Sequence, residues 1–371
     1  MINKSIIKIA WLLDDFPSPY QGYIVNLYKN LDNNHNIKPS IFSHRVRDLD
    51  GSIKANKVSQ SFNKLFEIKR ILTGNRLSQL ELKLAKFDIV HIQHSFLYPM
   101  VAELAKRGKG IKFVITFRGA DSYIKPWISS LWVNYHKEIH KSFDAIQVMS
   151  NNQKEYLKKW GYSLDKIYSI PISTSTGSGE FIQLELNQVI NICSVFRFVW
   201  EKNIEANLRF IKDLIGLGVS LKYNVYGDGT DIGQFYYLID RFNLKDSVVL
   251  HGRLSPEELR KEIVVNHFLL QLSTSDALPA SVLEALSFGI PCIVTDVGGF
   301  PEIITDNHNG FLLNFDRFNL FEVTSKIQSL IKDNIRYQYF RKNAYKTFIE
   351  KFTPELEAER ISKMYIDILK K

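Results

Sequence analysis

The chain has 371 residues, long for one domain and comfortable for two, with 45% apolar residues, 13% aromatic residues and a net charge of +9. That composition belongs to a globular protein and excludes a chain too poor in apolar residues to build a core. No run reaches the roughly 18 uninterrupted apolar residues of a membrane span, and the first, residues 6–13, is too short and too charged for a signal peptide.

The charge is unevenly spread. Residues 1–180 carry 26 Lys and Arg against 15 Asp and Glu, a net +11, and the remainder carries −2. An excess of this kind points to an anionic partner for the first half: a membrane surface or a phosphorylated lipid. No nucleic-acid-binding motif accompanies it, so nucleic acid is not expected.

From the start, apolar runs alternate with amphipathic stretches. Strands are predicted at 6–13, 37–43, 88–93, 111–117, 144–149 and 166–170, with helical patterns near 20–32, 76–86, 96–108, 127–141 and 151–160. Near Pro171 the pattern lapses into residues 173–179, Ser-Thr-Ser-Thr-Gly-Ser-Gly, a composition suited to a flexible linker. Alternation then restarts, with strands at 188–196, 220–226, 247–251, 267–272, 291–295 and 310–313 and helices near 203–217, 231–243, 255–264, 280–288 and 317–332. Two helical stretches, about 334–350 and 354–370, follow. Repeated β/α alternation is the signature of a parallel, doubly wound sheet. The fold class is therefore α/β, with two Rossmann-like domains, 1–178 and 187–353, facing across a cleft that holds the ligand. The last helix, about 354–371, is expected to pack back on the first domain.

Residues 62–72, Phe-Asn-Lys-Leu-Phe-Glu-Ile-Lys-Arg-Ile-Leu, set Phe62, Leu65, Phe66 and Ile68 among Lys64, Lys69 and Arg70. Such a stretch is either an interfacial helix lying on anionic lipid or a core-facing helix with a solvated basic face. His91 and His94, at the end of a predicted strand, are either structural or part of an acceptor-lining surface; their spacing does not suggest a metal site. Cys193 and Cys292 both fall in predicted strands and read as small core residues, which suits a reducing, cytoplasmic compartment.

The chemistry concentrates in the second half. Residues 268–299 read as strand, polar turn, helix, Gly-x-Pro stop and second strand, with Asp276 and Glu284 bracketing the turn and the helix start. In open α/β sheets ligands sit beyond the carboxyl ends of strands, where helix N-termini aim free N–H groups at anions. Upstream, Arg197 and Lys202 lie in a loop between a strand and a helix, a two-point cationic clamp suited to a diphosphate.

Several motifs join these residues: Arg197 with Glu201-Lys202-Asn203; Gly227-Asp-Gly229 after a strand; His251-Gly-Arg253 before Ser255-Pro-Glu-Glu-Leu; and Asp276-Ala-Leu-Pro-x4-Glu284. Phe288-Gly-x-Pro-x4-Asp296-x-Gly-Gly299 and Pro301-Glu302 complete the pattern. The combination resembles the GT-B glycosyltransferases of the retaining type known as family 4, strongly over 190–315 and more weakly before it. The resemblance implies that Arg197 and Lys202 hold the diphosphate of a nucleotide sugar and that Glu284 accepts from the ribose hydroxyls. It implies that the backbone of Ala277, Leu278, Pro279, Ala280 and Ser281 meets the sugar and the phosphate. Gly227 would contact the donor, and Arg253 would lie near the base. Gly22, after Pro17-Ser-Pro-Tyr-Gln, would let a loop of the other domain approach the donor closely.

Two positions depart from the family pattern. Asp276 stands where Glu is usual, which keeps the charge but shortens the reach by roughly 1.5 Å. Arg118, in Thr116-Phe-Arg-Gly-Ala-Asp121, stands where many members carry His, and an arginine with a pKa above about 12 is no base at neutral pH. It could still orient phosphate or acceptor, and Asp121 and His94 remain on the acceptor side.

The resemblance thus implies a retaining, metal-independent hexosyltransferase without a cofactor. Its donor would be a UDP- or GDP-sugar and its acceptor a glycan or lipid-linked saccharide, in bacterial cell-surface polysaccharide synthesis. The expected setting is cytoplasmic, at the inner face of the membrane. The alternatives are a sugar-nucleotide 2-epimerase on the same fold and a non-catalytic partner that binds the nucleotide sugar.

Overall fold

The computed structural model describes residues 7–18, 21–35, 37–47, 53–58, 77–108, 110–174, 181, 183–316 and 320–371. The stretch 62–72 lies outside them, as do residues 175–179 of the expected linker. The chain divides into two compact units, Met1–Pro171 with Pro354–Lys371, and Ile172–Thr353.

Each unit is built on one parallel sheet. The first contains β1 (Ile9–Phe16), β2 (Ser40–Val46), β3 (Ala55–Lys57), β4 (Ile89–Ile92), β5 (Lys112–Thr116), β6 (Ala145–Val148) and β7 (Ile167–Ser169), in the order β3-β2-β1-β4-β5-β6-β7. The second contains β8 (Ile190–Val195), β9 (Leu221–Tyr226), β10 (Val248–Gly252), β11 (Phe268–Gln271), β12 (Cys292–Thr295) and β13 (Gly310–Leu313), in the order β10-β9-β8-β11-β12-β13. The registers Ile9↔Ile89 and Leu269↔Cys193 seat the first strand of each sheet against the strand across its order reversal. β4, β5, β6, β11 and β12 carry almost nothing but buried side chains, as parallel strands with helices on both faces must. Two doubly wound sheets of this kind are the GT-B architecture.

Strand order matters because it reverses once in each sheet, between β1 and β4 and between β8 and β11. Loops leaving the two strands at such a switch point splay apart and open a crevice beyond the carboxyl ends. Gly22 and His94 follow β1 and β4; Arg197 and Asp276 follow β8 and β11. Topology thus puts these candidate residues beyond the strand ends at the switch points before any side chain is considered.

The helix pattern read near 96–108 is two elements. Pro99 lies in a 3-10 turn, Ser95–Met100, and a separate helix covers Ala102–Arg107. Proline has no N–H to continue an α-helix and crowds the preceding turn, so the pattern splits there. The pattern at 127–141 starts late, as Ser130–Ser142, behind two short helices, Ala120–Tyr123 and Lys125–Ile128.

The helix Pro354–Lys370 belongs to the first unit. Its Ala358, Ile361, Met364, Tyr365 and Ile368 join Trp11, Leu13, Ile24, Leu27 and Leu31 in one core cluster. A polar chain runs through the same unit. Trp11 Nε1 donates to the Tyr365 hydroxyl (2.9 Å), which lies 2.6 Å from His91 Nδ1. Burial, aided by Arg118, pushes the His91 pKa down to about 3, so the ring is neutral. Tyr365 then donates to Nδ1, and the Nε2–H donates to Thr116 Oγ1 (2.7 Å). The Thr116 hydroxyl passes to Gln147 Oε1 (2.8 Å), and Gln147 Nε2 ends on the Ile170 carbonyl (3.1 Å). With both nitrogens engaged inside the core, His91 is structural.

Candidate functional site

In the second unit the chain leaves β8 as a tight turn. The Phe196 amide donates to the Tyr226 carbonyl (3.1 Å) and the Phe198 amide to that of Asp228 (3.1 Å), which lays the β9 loop against the Arg197 loop. The approach is so close that a Cβ at Gly227 would stand 1.9 Å from the Phe196 oxygen, and one at Gly229 would stand 2.3 Å from that of Phe198. Gly227 also has φ 141, a region other residues avoid. The Gly-Asp-Gly motif thus backs the loop that presents Arg197, whose side chain is exposed.

Lys202 ends the 3-10 turn Trp200–Lys202, and Asn203, in the left-handed region at φ 49, caps the next helix. Asn207 ties this turn to the loop after β11. Its side-chain amide donates to the carbonyls of Lys202 and Asn203 (both 2.9 Å), while its Oδ1 accepts from the Leu272 amide (3.1 Å). The Thr274 amide adds a bond to the Glu201 carbonyl (2.8 Å). Two loops far apart in sequence are thereby clamped together, and Lys202 Nζ pairs with Asp276 Oδ2. Gln271 Nε2 donates to the same oxygen (2.9 Å), and Gln271 Oε1 accepts from Ser281 Oγ (2.8 Å). The two ion-pair side chains are 16% and 13% exposed, so the pair is sheltered without being sealed. The short acid is met from both sides by longer partners.

A glycine pair closes the loop from behind. The Gly299 amide donates to the Asp276 carbonyl (3.1 Å), and a Cβ at Gly298 (φ 55) would stand 1.7 Å from that oxygen. This assigns the Gly-Gly of the sequence motif a backbone task.

Helix Ala280–Ser287 begins immediately beyond. Pro279 caps it in an extended conformation, and its carbonyl accepts from Val282 (3.2 Å) and Leu283 (3.4 Å). The amides of Ala280 and Ser281 are left without intrahelical partners, at the positive end of the helix dipole. Ala277, Leu278 and Ser281 are buried. One turn along, burial raises the Glu284 carboxyl from its ordinary 4.5 to about 7, with Arg260 opposing the shift. A raised carboxyl pKa means the folded chain holds this proton more tightly than the unfolded chain. Its stabilising contribution is full below about pH 4.5 and is lost as pH rises toward 7. Glu284→Gln is therefore expected to melt progressively higher than wild type as pH rises from 5 to 8, as read by thermal unfolding at each pH; a constant offset would contradict this. Arg253 follows β10 and is exposed, while its neighbour His251 stacks on Tyr226 at 4.6 Å.

In the first unit, Gly22 opens the helix Gly22–His35, and a Cβ built there meets nothing within 4 Å. His94 Nε2 lies 3.0 Å from Gln21 Oε1, bridging the loops after β1 and β4. Burial, then Arg118 and Lys125, push the His94 pKa to about 3, so the neutral ring donates to Gln21 and keeps Nδ1 as an acceptor. Arg118 is half-buried: its Nη2 donates to Gln93 Oε1 (3.0 Å), its Nε to the Gln93 carbonyl (3.4 Å), and its guanidinium lies over Tyr23 at 4.9 Å. Asp121, 5% exposed, accepts from Ser95 Oγ (2.6 Å) and the amides of Arg118 (3.1 Å) and Gly119 (2.9 Å). Its oxygens brace the loop that carries Arg118.

The structure thus brings Lys202 and Asp276 into contact, sets Arg197 on the same loop as Lys202 and runs Ala277–Ser281 into the head of the next helix. The residues that sequence reading missed are Asn207 and Gln271. Gln271 left a signal, a polar residue closing an otherwise apolar buried strand; Asn207, on a helix face, left none. Among the described residues no group of three His, Cys, Asp or Glu stands ready for a metal ion.

Comparison with known proteins identifies the family. The family described as Glycosyl transferases group 1 matches residues 181–347, and that described as Glycosyltransferase Family 4 matches residues 21–174. The chain belongs to the family-4 glycosyltransferases of GT-B fold. It is 24% identical over 307 residues to N-acetyl-alpha-D-glucosaminyl L-malate synthase of Bacillus anthracis, covering 76% of this chain and 75% of that protein. It is 25% identical over 170 residues to poly(ribitol-phosphate) alpha-N-acetylglucosaminyltransferase of Staphylococcus aureus, covering 45% of this chain and 33% of that one. Among solved structures, Anabaena HepE in complex with UDP and glucose superposes with a TM-score of 0.77 at 12% identity, covering 97% of this chain and 99% of that one.

Proposed function

We propose that this glycosyltransferase moves a hexose from a nucleotide diphosphate sugar to a glycan or lipid-linked acceptor with retention of the anomeric configuration. The observation that carries the reading is the Lys202–Asp276–Gln271 cluster, set at a switch point beside the free N–H groups of helix Ala280–Ser287. Lys202 and Gln271 both occupy Oδ2 of Asp276, which leaves Oδ1 to accept from a sugar hydroxyl. Arg197 and Lys202 stabilise the departing diphosphate, with the Ala280 and Ser281 amides as further donors. The anomeric carbon–oxygen bond breaks, its electron pair leaving with the nucleoside diphosphate. The acceptor oxygen bonds to that carbon on the same face, and its proton passes to a phosphate oxygen. No protein nucleophile, metal or cofactor takes part.

Glu284 accepts from the ribose hydroxyls, and Gly227 and Arg253 complete the donor site of the second unit. Arg118, Asp121 and His94 serve the acceptor side, with His94 Nδ1 as the acceptor atom. The occurrence of UDP in the HepE complex supports uridine diphosphate as the carrier. The acceptor class suits cell-surface polysaccharide synthesis at the cytoplasmic face of a membrane. Incubating the chain with a panel of nucleotide sugars is expected to give slow nucleoside diphosphate release without acceptor. Release should rise on addition of acceptor, and NMR should show the product anomer matching the donor. Tight donor binding with no release over many hours would leave a binding partner; donor isomerisation without acceptor would leave an epimerase.

A further inference from the structure

The first unit exposes a group of large apolar side chains on one stretch of its surface. Phe96, Trp127, Ile128 and Leu131 are 43%, 65%, 76% and 53% exposed. Scattered apolar residues on a protein surface need no explanation, but a contiguous set does. These are contiguous with an aromatic belt. Lys125 Nζ lies 5.7 Å from the Phe96 ring centroid and 4.4 Å from that of Trp132. The Trp127 ring stands 5.4 Å from Trp160, and its Nε1 donates to the Tyr156 hydroxyl (2.9 Å). Tyr156 in turn has Tyr123 at 4.8 Å and Lys159 Nζ over its face at 4.4 Å. Ile128 and Leu131, next in sequence to Trp127 and Trp132, are the two exposed aliphatic chains of this stretch.

Tryptophan, tyrosine and lysine with unsheltered aliphatics are the residue set of a membrane–water interface. There the rings sit at headgroup depth, the aliphatics enter the acyl boundary, and lysine heads stay with anionic lipid. Water offers Ile128 nothing comparable. The charge agrees, since the patch lies in the half of the chain that carries +11. Its position agrees too. The Phe96 ring is 5.6 Å from the His94 ring at the end of β4, and the helix bearing Asp121 directly precedes Lys125.

We propose that this surface, from Phe96 through Lys125, Trp127, Ile128 and Leu131, docks the first unit on an anionic lipid bilayer. A lipid-linked acceptor would then meet the carboxyl edge of β4 and β5 without leaving the membrane. The inference rests on the lipid-linked branch of the proposed function.

The test is flotation of the full chain with vesicles of phosphatidylcholine alone or mixed with phosphatidylglycerol, at low and high salt. Nucleoside diphosphate release is measured in the same samples without lipid. Wild type is expected to float with the anionic vesicles and less so at high salt. Ile128→Glu/Leu131→Glu should reduce the bound fraction about tenfold or more, with melting and lipid-free release unchanged. Absence of flotation at low salt overturns the proposal, as does equal flotation of the variant. It is also overturned if the variant instead converts a dimer to monomers by sedimentation, because a second copy then covers the patch. Flotation without nucleotide release sinks the transferase reading alone, and release without flotation sinks the docking surface alone.

Discussion

Lys202→Met is expected to slow sugar transfer by about two to three orders of magnitude, the usual cost of removing one donor aimed at developing oxyanion charge. Methionine keeps the apolar stem in place and removes only the ammonium. The structure supplies a way to separate this loss from misfolding. Without Lys202, the sheltered Asp276 carboxylate keeps Gln271 as its side-chain donor, and the variant should lose about 1–3 kcal/mol of stability. Adding Asp276→Asn removes the unpaired charge and should restore most of the melting temperature. It should restore none of the turnover. A double-mutant cycle in which activity and stability recover together would mean that Lys202 serves the fold rather than the departing diphosphate.

Ending the chain at Thr353 is expected to unfold the first unit and spare the second. Ile361, Met364, Tyr365 and Ile368 are each 1% exposed or less. At about 1.5–3 kcal/mol for each large side chain buried, their combined contribution is comparable with the whole stability of a typical domain, about 5–15 kcal/mol. Removing the helix also uncovers Trp11 and leaves His91 Nδ1 without the Tyr365 hydroxyl. Limited proteolysis of the shortened chain should digest residues 1–171 and leave 172–353 protected; protection of both halves would show that the helix is dispensable. Tyr365→Phe is the gentler version, costing about 1–3 kcal/mol because the buried Trp11 Nε1 loses its acceptor, while His91 Nδ1 keeps Gln93 Nε2 at 3.2 Å.

Much of this architecture can be read from periodicity. Short runs such as 89–92 or 291–295, bounded by turn residues, read as interior strands, and the amphipathic stretches between them favour parallel pairing. Arg197, Lys202 and Asp276 were legible as loop residues beyond strand ends because strand and loop alternate so regularly. Their convergence depends on Asn207 and on Gln271, which act across 65 and 5 residues, and no local pattern records such reach. Asp121 shows the opposite limit. In sequence it is a free carboxylate beside a candidate site; in the fold three donors surround it, two of them backbone amides invisible to composition. His91 and His94, three residues apart, separate only when the first is seen between Tyr365 and Thr116 and the second beside Gln21. The exposed group around Ile128 escaped notice because, written as sequence, a helix with apolar residues announces a core.

The return of helix Pro354–Lys370 to the first unit also orders events during synthesis. The second unit, Ile172–Thr353, has every residue of its sheet once β13 has emerged and of its main core cluster once Phe340 has, and it can then close on itself. The first unit has made all seven strands long before, yet the groove over Trp11 and Leu31 stays uncovered until Tyr365 and Ile368 are translated. The half begun first is therefore finished last. For the time taken to make the intervening residues, its apolar groove is the surface that chaperones would find and that aggregation would exploit.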